Sequence, residues 1–549
     1  MGTSSTKSSP SKKQQRDSRV EPPRQLDLPE RTWRIAAICI FVLAAVLRLY
    51  DLNLVPLHHD EGVNGNFLLT LVREGRYTYD PANYHGPTLY YLAALIPWTI
   101  RILFGTDARE TYGLNTIVIR LVPGLFGLAT IWLVFLLKRR LGTVATLTAG
   151  LMLAISPGAV YLSRYFIHET LFVFFTLGIV VAGLKFYESH KPLYLMLASA
   201  SAAMLFATKE TAMISVAVLV IAWICTLGYQ WLLRRNEDPV TPGKLREIVE
   251  DLGGPTSFVM WIALAIVVFV VLNVFLYTSF FQNYPKGIYD ALSTFKIWTK
   301  TGKEAHVHPP ETYLYWLGKQ EAGSLFLGAL GAVLVVFRPK NSFALFSALW
   351  AFGLIAAYSL VPYKTPWLAL NFIVPLTLIA GYAVQRIFEL EQGQLRLPIV
   401  MLLAAVLVGG YQTIDLNFVN YDNDNTYYVY VYAHTRRETK QLVDEIDRIA
   451  RQGPDNGRTG ITIVSPEYWP LPWYLRHYSR VGYYARMTPT TEPIIIASSD
   501  QRAEMDQNFG ALYRLMPSGS GDSAFPLRPG VKLLLYVRRS GPTASAPTH

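Results

Sequence analysis

Residues 258–277 read FVMWIALAIVVFVVLNVFLY, twenty consecutive positions without a charge. A helix needs about 20 apolar residues to cross a hydrocarbon core ~30 Å thick, so this run predicts a membrane-spanning helix. The reading extends along the chain, which is 51% hydrophobic, 13% aromatic and only 16% charged. Similar runs predict about eleven spans, near 35–53, 114–137, 142–162, 168–187, 192–208, 211–232, 257–278, 322–337, 342–361, 366–386 and 397–414. The expected fold is an α-helical polytopic membrane protein.

Basic residues in short loops stay on the cytoplasmic side and set orientation. Lys12, Lys13, Arg16, Arg24 and Arg31 precede Trp33 and predict a cytoplasmic N-terminus. Lys138-Arg139-Arg140, Lys185 with Lys191, Arg234-Arg235, Arg338 with Lys340, and Arg386 then share that side. This holds only if Leu89 to Phe104, interrupted by Pro97 and Arg101, lies in the interface without crossing. Residues 1–33 are Ser-, Lys- and Pro-rich and are expected to be a disordered cytoplasmic tail. They are too long and polar for a cleaved signal peptide, so the first span is expected to be retained.

The bundle is expected over residues 34–415, with external insertions at 54–113 and 279–321. Residues 416–549 change character. Ile461-Thr462-Ile463-Val464, Pro493-Ile494-Ile495-Ile496 and Val531 to Tyr536 read as short buried strands. Arg437 to Ala450 and Pro472 to Tyr478 read as helical. The alternation predicts a small α/β domain, and an odd number of spans places it outside the cytoplasm. Cys39 and Cys225 fall inside expected spans, which argues against a disulfide framework or a thiolate metal site. The formal charge of +11 follows largely from cytoplasmic loops and tail; no nucleic-acid-binding pattern is present.

Polar chemistry gathers at the outer mouths of the spans. His58-His59-Asp60-Glu61 follows the first span, and Arg164, His168 and Glu169 sit in the next outer loop. Ionisable groups at the bilayer edge are costly and mark functional sites. A carboxylate there can deprotonate an acceptor hydroxyl, and adjacent imidazoles can tune it, bind phosphate or ligate a divalent cation. The plainer reading of Asp60-Glu61 is the acidic start of an interfacial helix. Arg164 can fork onto a phosphate or merely snorkel to the interface. His168 and Glu169 are the candidate metal ligands. Arg120, several residues inside its span, pairs either with a lipid phosphate or with Asp60 or Glu61. His59, His85, Lys209 beside Glu210, and Lys364 complete the candidate substrate contacts. The insertion from Gln282 to Glu321, with Tyr284, Lys286, Trp298, His306, His308, Glu311 and Trp316, reads as a lid resting on the bilayer. There is no P-loop, Gly-x-Ser-x-Gly elbow or His-Glu-x-x-His helix, which argues against ATP-driven transport and the common hydrolase classes.

These features, in this order, resemble the GT-C class of membrane glycosyltransferases, in the branch of the dolichyl-phosphate-mannose protein mannosyltransferases and the lipid A aminoarabinose transferase. The matching pieces are Asp60-Glu61, Gly86-Pro87-Thr88-Leu89-Tyr90-Tyr91, Phe104-Gly105, Arg120-Leu121-Val122-Pro123, and Ser163-Arg164 with Glu169. Tyr84-His85-Gly86-Pro87, Ala207-Thr208-Lys209-Glu210 and Tyr363-Lys364-Thr365-Pro366-Trp367 resemble more closely a prokaryotic family of predicted membrane mannosyltransferases, associated in archaea with flippase activity. The resemblance covers about residues 34–415. It implies a polyprenyl-phosphate-linked sugar as donor and an outward-facing site in the cytoplasmic membrane. The acceptor is a glycan, lipid or protein, and transfer of mannose or another hexose proceeds with inversion. By position it makes Asp60 the base and Glu61 its support. The aminoarabinose transferases carry Lys-Pro-Pro where this chain has His85-Gly86-Pro87, and the metal differs among branches, which leaves a divalent cation open here. The rival readings are a non-enzymatic aid to flipping of lipid-linked sugars and, last, an ion-coupled transporter, which would need acids deep within the spans.

Overall fold

The computed structural model describes residues 27–83, 85–104, 113–233, 243–304, 306–337, 341–392, 394, 396–453, 459–518 and 523–539. The tail expected to be disordered, Tyr84, Gly105, Arg234-Arg235, Arg338 and Lys340 lie outside them, apart from the last residues of the tail. The first half is helical throughout: α1 (Glu30–Leu49), α2 (His59–Glu74), α3 (Thr88–Phe104), α4 (Thr116–Phe135), α5 (Lys138–Leu141), α6 (Thr143–Ala154), α7 (Pro157–Ser163), α8 (Glu169–Ser189), α9 (Pro192–Phe206) and α10 (Ala212–Leu233). Then follow α11 (Gly243–Asp251), α12 (Pro255–Tyr277), α13 (Lys286–Glu304), α14 (Thr312–Gln320), α15 (Ala322–Phe337), α16 (Ser342–Leu360), α17 (Leu370–Leu390) and α18 (Arg396–Ile414).

Among the described residues, eight helices are long and apolar enough to cross a membrane, or up to ten spans if two bent pairs each count as one. The chain is a multi-pass membrane protein. The span expected at 142–162 is broken: α6 and α7 meet at 60°, because Pro157 starts a new helix capped by Ser156 Oγ. α14 and α15 meet at 114°. The span expected at 192–208, α9, has only 15 residues and falls short on length. α3, with Pro97 inside it, is likewise a short apolar helix. In the bundle's middle lies α17, almost fully buried, packed on α6, α15 and α16. The outward surface of α12 is lipid-facing in character, with Val259, Met260, Ile266 and Val267 all exposed.

After α18 come α19 (Thr439–Gln452), β1 (Ile461–Ile463), α20 (Leu471–Tyr474), β2 (Val481–Tyr483), β3 (Ile494–Ser498), α21 (Arg502–Phe509), β4 (Tyr513–Leu515), β5 (Phe525–Arg528) and β6 (Val531–Arg538). The sheet order is β2-β1-β3-β6-β4, with β5 also on β6. β2, β1 and β3 are parallel; β6 runs against β3, β4 and β5. β3 is apolar without alternation because both its faces are covered. Ile494 and Ile496 meet Leu442 and Ile446 of α19 in one cluster, while Ile495 and Ala497 meet Met505 of α21 in another.

This unit sits against α2. Side chains at positions 62 and 65 would collide with it: a Cβ on Gly62 would lie 2.7 Å from Pro470 Cβ, and one on Gly65 would lie 2.5 Å from the Trp473 ring. Trp473 is buried there, and burying so large an apolar ring contributes roughly 1.5–3 kcal/mol. The first loop and the C-terminal sheet therefore form one packed surface above the bundle.

Candidate active site

The site begins at the N-terminus of α2. His58 is the cap: its Nδ1 accepts the Asp60 N–H at 3.1 Å, and Glu61 Oε2 accepts the His58 N–H at 3.0 Å. With Nδ1 accepting, His58 carries its proton on Nε2 and donates it to Tyr432 O at 3.1 Å. The two neighbouring acids then part ways. Glu61 is fully buried and takes Arg120 Nε at 2.7 Å, Arg120 Nη2 at 2.5 Å and Phe166 N at 2.8 Å. Arg120 uses its remaining donors on Leu52 O, Val55 O and Pro56 O, so each of its N–H groups is engaged. This pair ties α2, α4 and the first loop together, and neither partner lines the cavity above it.

Asp60 does line that cavity, which has a volume of about 600 Å³. Its side chain is 43% exposed. Among the described residues its carboxylate oxygens accept no hydrogen bond; the closest charged partner, His58 Nδ1 at 3.7 Å, offers a lone pair rather than a proton. Around it stand His59, His85, His306, Trp367, Tyr432 and Arg528. His306 Nδ1 and Tyr432 Oη are 2.7 Å apart. Burial, with His58 and Arg528 beside it, pulls His59 below its ordinary pKa despite Asp60.

A second tier supports His85. Its Nδ1 lies 3.3 Å from Glu210 Oε2, and Lys209 Nζ reaches Glu169 Oε1 at 2.5 Å. Burial opposes both charges, but His85 and Lys209 hold Glu210 below its ordinary pKa, while Glu169 and Glu210 hold Lys209 above its own. The loop reaches them by backbone pairing: Gly86 N donates to Thr208 O and Thr88 N to Ala207 O, both at 3.1 Å. A Cβ at position 86 would lie 2.1 Å from Ala207 O, so only glycine permits this approach. Gly86→Ala is expected to cost more than the ~1 kcal/mol of an ordinary substitution. It should also displace His85, which a melting curve together with His85 NMR line positions would register.

Four candidate groups are engaged with the protein itself. Arg164 donates to Leu47 O, Tyr50 O and Asp51 O and closes the C-terminal end of α1. Lys364 Nζ donates to Val361 O at 2.6 Å and His308 O at 3.3 Å, doing the same for α16. Neither lines the cavity, and backbone carbonyls at helix ends and in the adjoining loops have taken donors that a phosphate would need. His168 is buried, with Nε2 3.1 Å from Gly86 O. Glu169 lines the cavity but is paired with the Lys209 ammonium. The pair does not fit a divalent cation: Lys209 opposes a second positive charge at Glu169, and no third ligand joins them among the described residues. The grouping that does occur, His190, Glu247 and Asp251, lies at the other end of α8. Within the lid segment, the backbone of α13 and α14 is helical and His306 reaches the cavity; Tyr363, after α16, reaches it as well.

Three histidines, His59, His168 and His434, are held below their ordinary pKa by burial first, and then by neighbouring positive charge. An unfolded histidine protonates near pH 6.5, so below about that pH the unfolded chain takes up protons that the fold refuses. Stability is expected to fall as pH drops from about 7.5 to 5.5; a flat or rising melting temperature across that range would contradict the burial of these rings.

Arg528, from β5, escaped sequence reading. It lines the cavity, pairs with Glu467 and stands 3.4 Å from His59 Nδ1, 469 positions away in the chain. No local pattern marks it.

The fold is similar to those of solved membrane glycosyltransferases. Residues 93–236 match the model of the dolichyl-phosphate-mannose-protein mannosyltransferase family. ArnT from Cupriavidus metallidurans, solved bound to undecaprenyl phosphate, is similar over 92% of this chain and 98% of that one, with 14% identity and a TM-score of 0.62. The Archaeoglobus fulgidus oligosaccharyltransferase in its apo form is similar over 82% of this chain and 64% of that one, with 14% identity and a TM-score of 0.53. Its complex with an inhibitory peptide and a dolichol-phosphate is similar over 93% and 75%, with 12% identity and a TM-score of 0.53. No curated protein matches the chain by sequence.

Proposed function

We propose that this protein transfers a sugar, mannose or another hexose, from a polyprenyl-phosphate carrier to an acceptor outside the cytoplasm, working in the plasma membrane with the cavity facing outward. The observation that carries the reading is the contrast between the two first-loop acids: among the described residues Asp60 keeps unengaged carboxylate oxygens in a cavity, while Glu61 is spent on Arg120. Asp60 takes the proton of an acceptor hydroxyl as that oxygen bonds to the anomeric carbon. The bond from that carbon to the phosphate oxygen breaks, polyprenyl phosphate leaves, and the configuration inverts. His59, His85, His306 and Arg528 surround the same space with nitrogen donors suited to the phosphate. Beside Gly86 an apolar pocket of about 280 Å³, lined by Phe206, Met213, Phe269, Tyr277 and Leu292, suits the first isoprene units. The matches to polyprenyl- and dolichol-phosphate-bound proteins support this choice of carrier.

The test uses purified protein in nanodiscs with a panel of radiolabelled polyprenyl-phosphate hexoses. Release of polyprenyl phosphate with label passing to a membrane-extract acceptor is expected for at least one donor. Binding without release across the whole panel would overturn the transfer reading in favour of assisted flipping.

A further inference from the structure

The C-terminal unit meets the cavity through Arg528 of β5 and, by way of Trp469 on His59, through the loop after β1. β2, β1 and β3 run parallel, and the chain segments that follow their carboxyl ends gather on one side. In open α/β sheets the crevice beyond such ends is where ligands bind. A cleft of about 500 Å³ opens there, lined by Pro466 after β1, by Arg486 and the apolar Met487 after β2, and by Ser498, Asp500, Gln501 and Glu504 at and beyond the end of β3. It belongs to no part of the site described above.

Four consecutive residues, Pro466 to Trp469, run from this cleft to the cavity. Pro466 lines the cleft, Glu467 holds Arg528, and the Trp469 ring lies 6.0 Å from that of His59. Between the two sites the aromatic rings form a tier: Tyr468 stacks on Trp469 at 6.0 Å and meets Tyr483 at 5.2 Å. Tyr483 is 36% exposed and Tyr484 49%, although both belong to the margin of a folded sheet. The cleft that follows offers hydroxyl, amide, carboxylate and guanidinium groups in Ser498, Gln501, Asp500, Glu504 and Arg486. Flat apolar faces bordered by such groups match a sugar ring, which has C–H faces and a hydroxyl rim. A peptide strand added to β2 would find only three residues of edge, one of them Gly482. The cleft carries Asp500 and Glu504 against Arg486, which disfavours a polyanion.

We propose that this edge is the acceptor-binding site and that the acceptor is a neutral carbohydrate chain of several residues. Its end is presented to Asp60, its next sugars lie on Tyr468 and Tyr483, and its trailing sugars occupy the cleft. The inference rests on the transfer reading for its direction toward Asp60.

The test measures binding without turnover. Full-length protein in nanodiscs is titrated by saturation-transfer NMR with linear neutral hexose oligosaccharides of increasing length, and with an extended peptide as comparison. Affinity is expected to rise with oligosaccharide length, to fall about tenfold in Tyr483→Ala, and to be kept in Tyr483→Phe. Equal melting temperatures of the Tyr483 variants exclude a folding defect. Absence of oligosaccharide binding, binding independent of length, or an unaltered Tyr483→Ala each overturns the proposal, as does binding of the peptide alone. Oligosaccharide binding by a protein that never releases polyprenyl phosphate would sink the transfer reading alone. Release to water by a protein that ignores oligosaccharides would sink this one alone.

Discussion

Asp60→Asn is expected to lower sugar transfer by about 10²–10⁴-fold, the usual contribution of a positioned general base, and to leave binding of the polyprenyl-phosphate donor within about twofold. The asparagine keeps the shape, the α2 N-terminus and the Asp60 N–H bond to His58 Nδ1. It removes only the capacity to accept a proton. Because no hydrogen bond to the Asp60 carboxylate oxygens exists among the described residues, nothing structural is lost with the charge, and the melting temperature should stay close to that of the wild type. Donor binding and rate therefore separate cleanly. A variant that still transfers at near wild-type speed would remove Asp60 from the chemistry and turn attention to Glu169, the other cavity carboxylate, which would then have to leave Lys209. A variant that loses donor binding instead would make Asp60 a contact of the carrier, as a flipping protein would need.

The same locus shows what sequence can and cannot carry. Apolar runs disclose a membrane bundle because a bilayer admits no unpaired backbone, so each crossing must be a long apolar helix. The break at Pro157 was equally written in the chain, yet a run from 142 to 162 looks continuous to a hydropathy reading. β3 and β6 stood out as apolar runs; β2 and β4, three residues each at the sheet margins, are too short to show a period. Within the site, residue type was visible but partnership was not. Arg164 and Lys364 have the charge and the loop position of phosphate ligands, and both spend donors on backbone carbonyls at or beyond helix ends. Arg528 has no motif around it and becomes a cavity residue only because β5 is brought over α2. Asp60 and Glu61 are adjacent in sequence and point to opposite fates, since successive helical side chains lie about 100° apart and only one of them can face Arg120.

Arg120→Ala should be the most destabilising single change at this site. It strands the Glu61 carboxylate in a fully buried place and removes donors from Leu52 O, Val55 O and Pro56 O together. Removing one partner of a buried ion pair costs about 3–5 kcal/mol, a large share of the roughly 5–15 kcal/mol that usually holds a protein folded. Glu61→Gln should cost less than Arg120→Ala, because an amide oxygen can still accept from Arg120 and Phe166, although the guanidinium loses its counter-charge. The double variant Glu61→Leu with Arg120→Met should regain part of the loss and not all of it, since both charges vanish but the three loop carbonyls stay without donors. Melting temperatures of the single and double variants in nanodiscs give the coupling directly. If Arg120 instead clamps the carrier phosphate, Arg120→Ala would weaken donor binding while the melting temperature and the coupling to Glu61 stay near zero change. The fold argues the other way. A guanidinium with all its donors engaged by one carboxylate and three carbonyls has none left for a ligand, and its task is to hold α2 so that Asp60 faces the cavity.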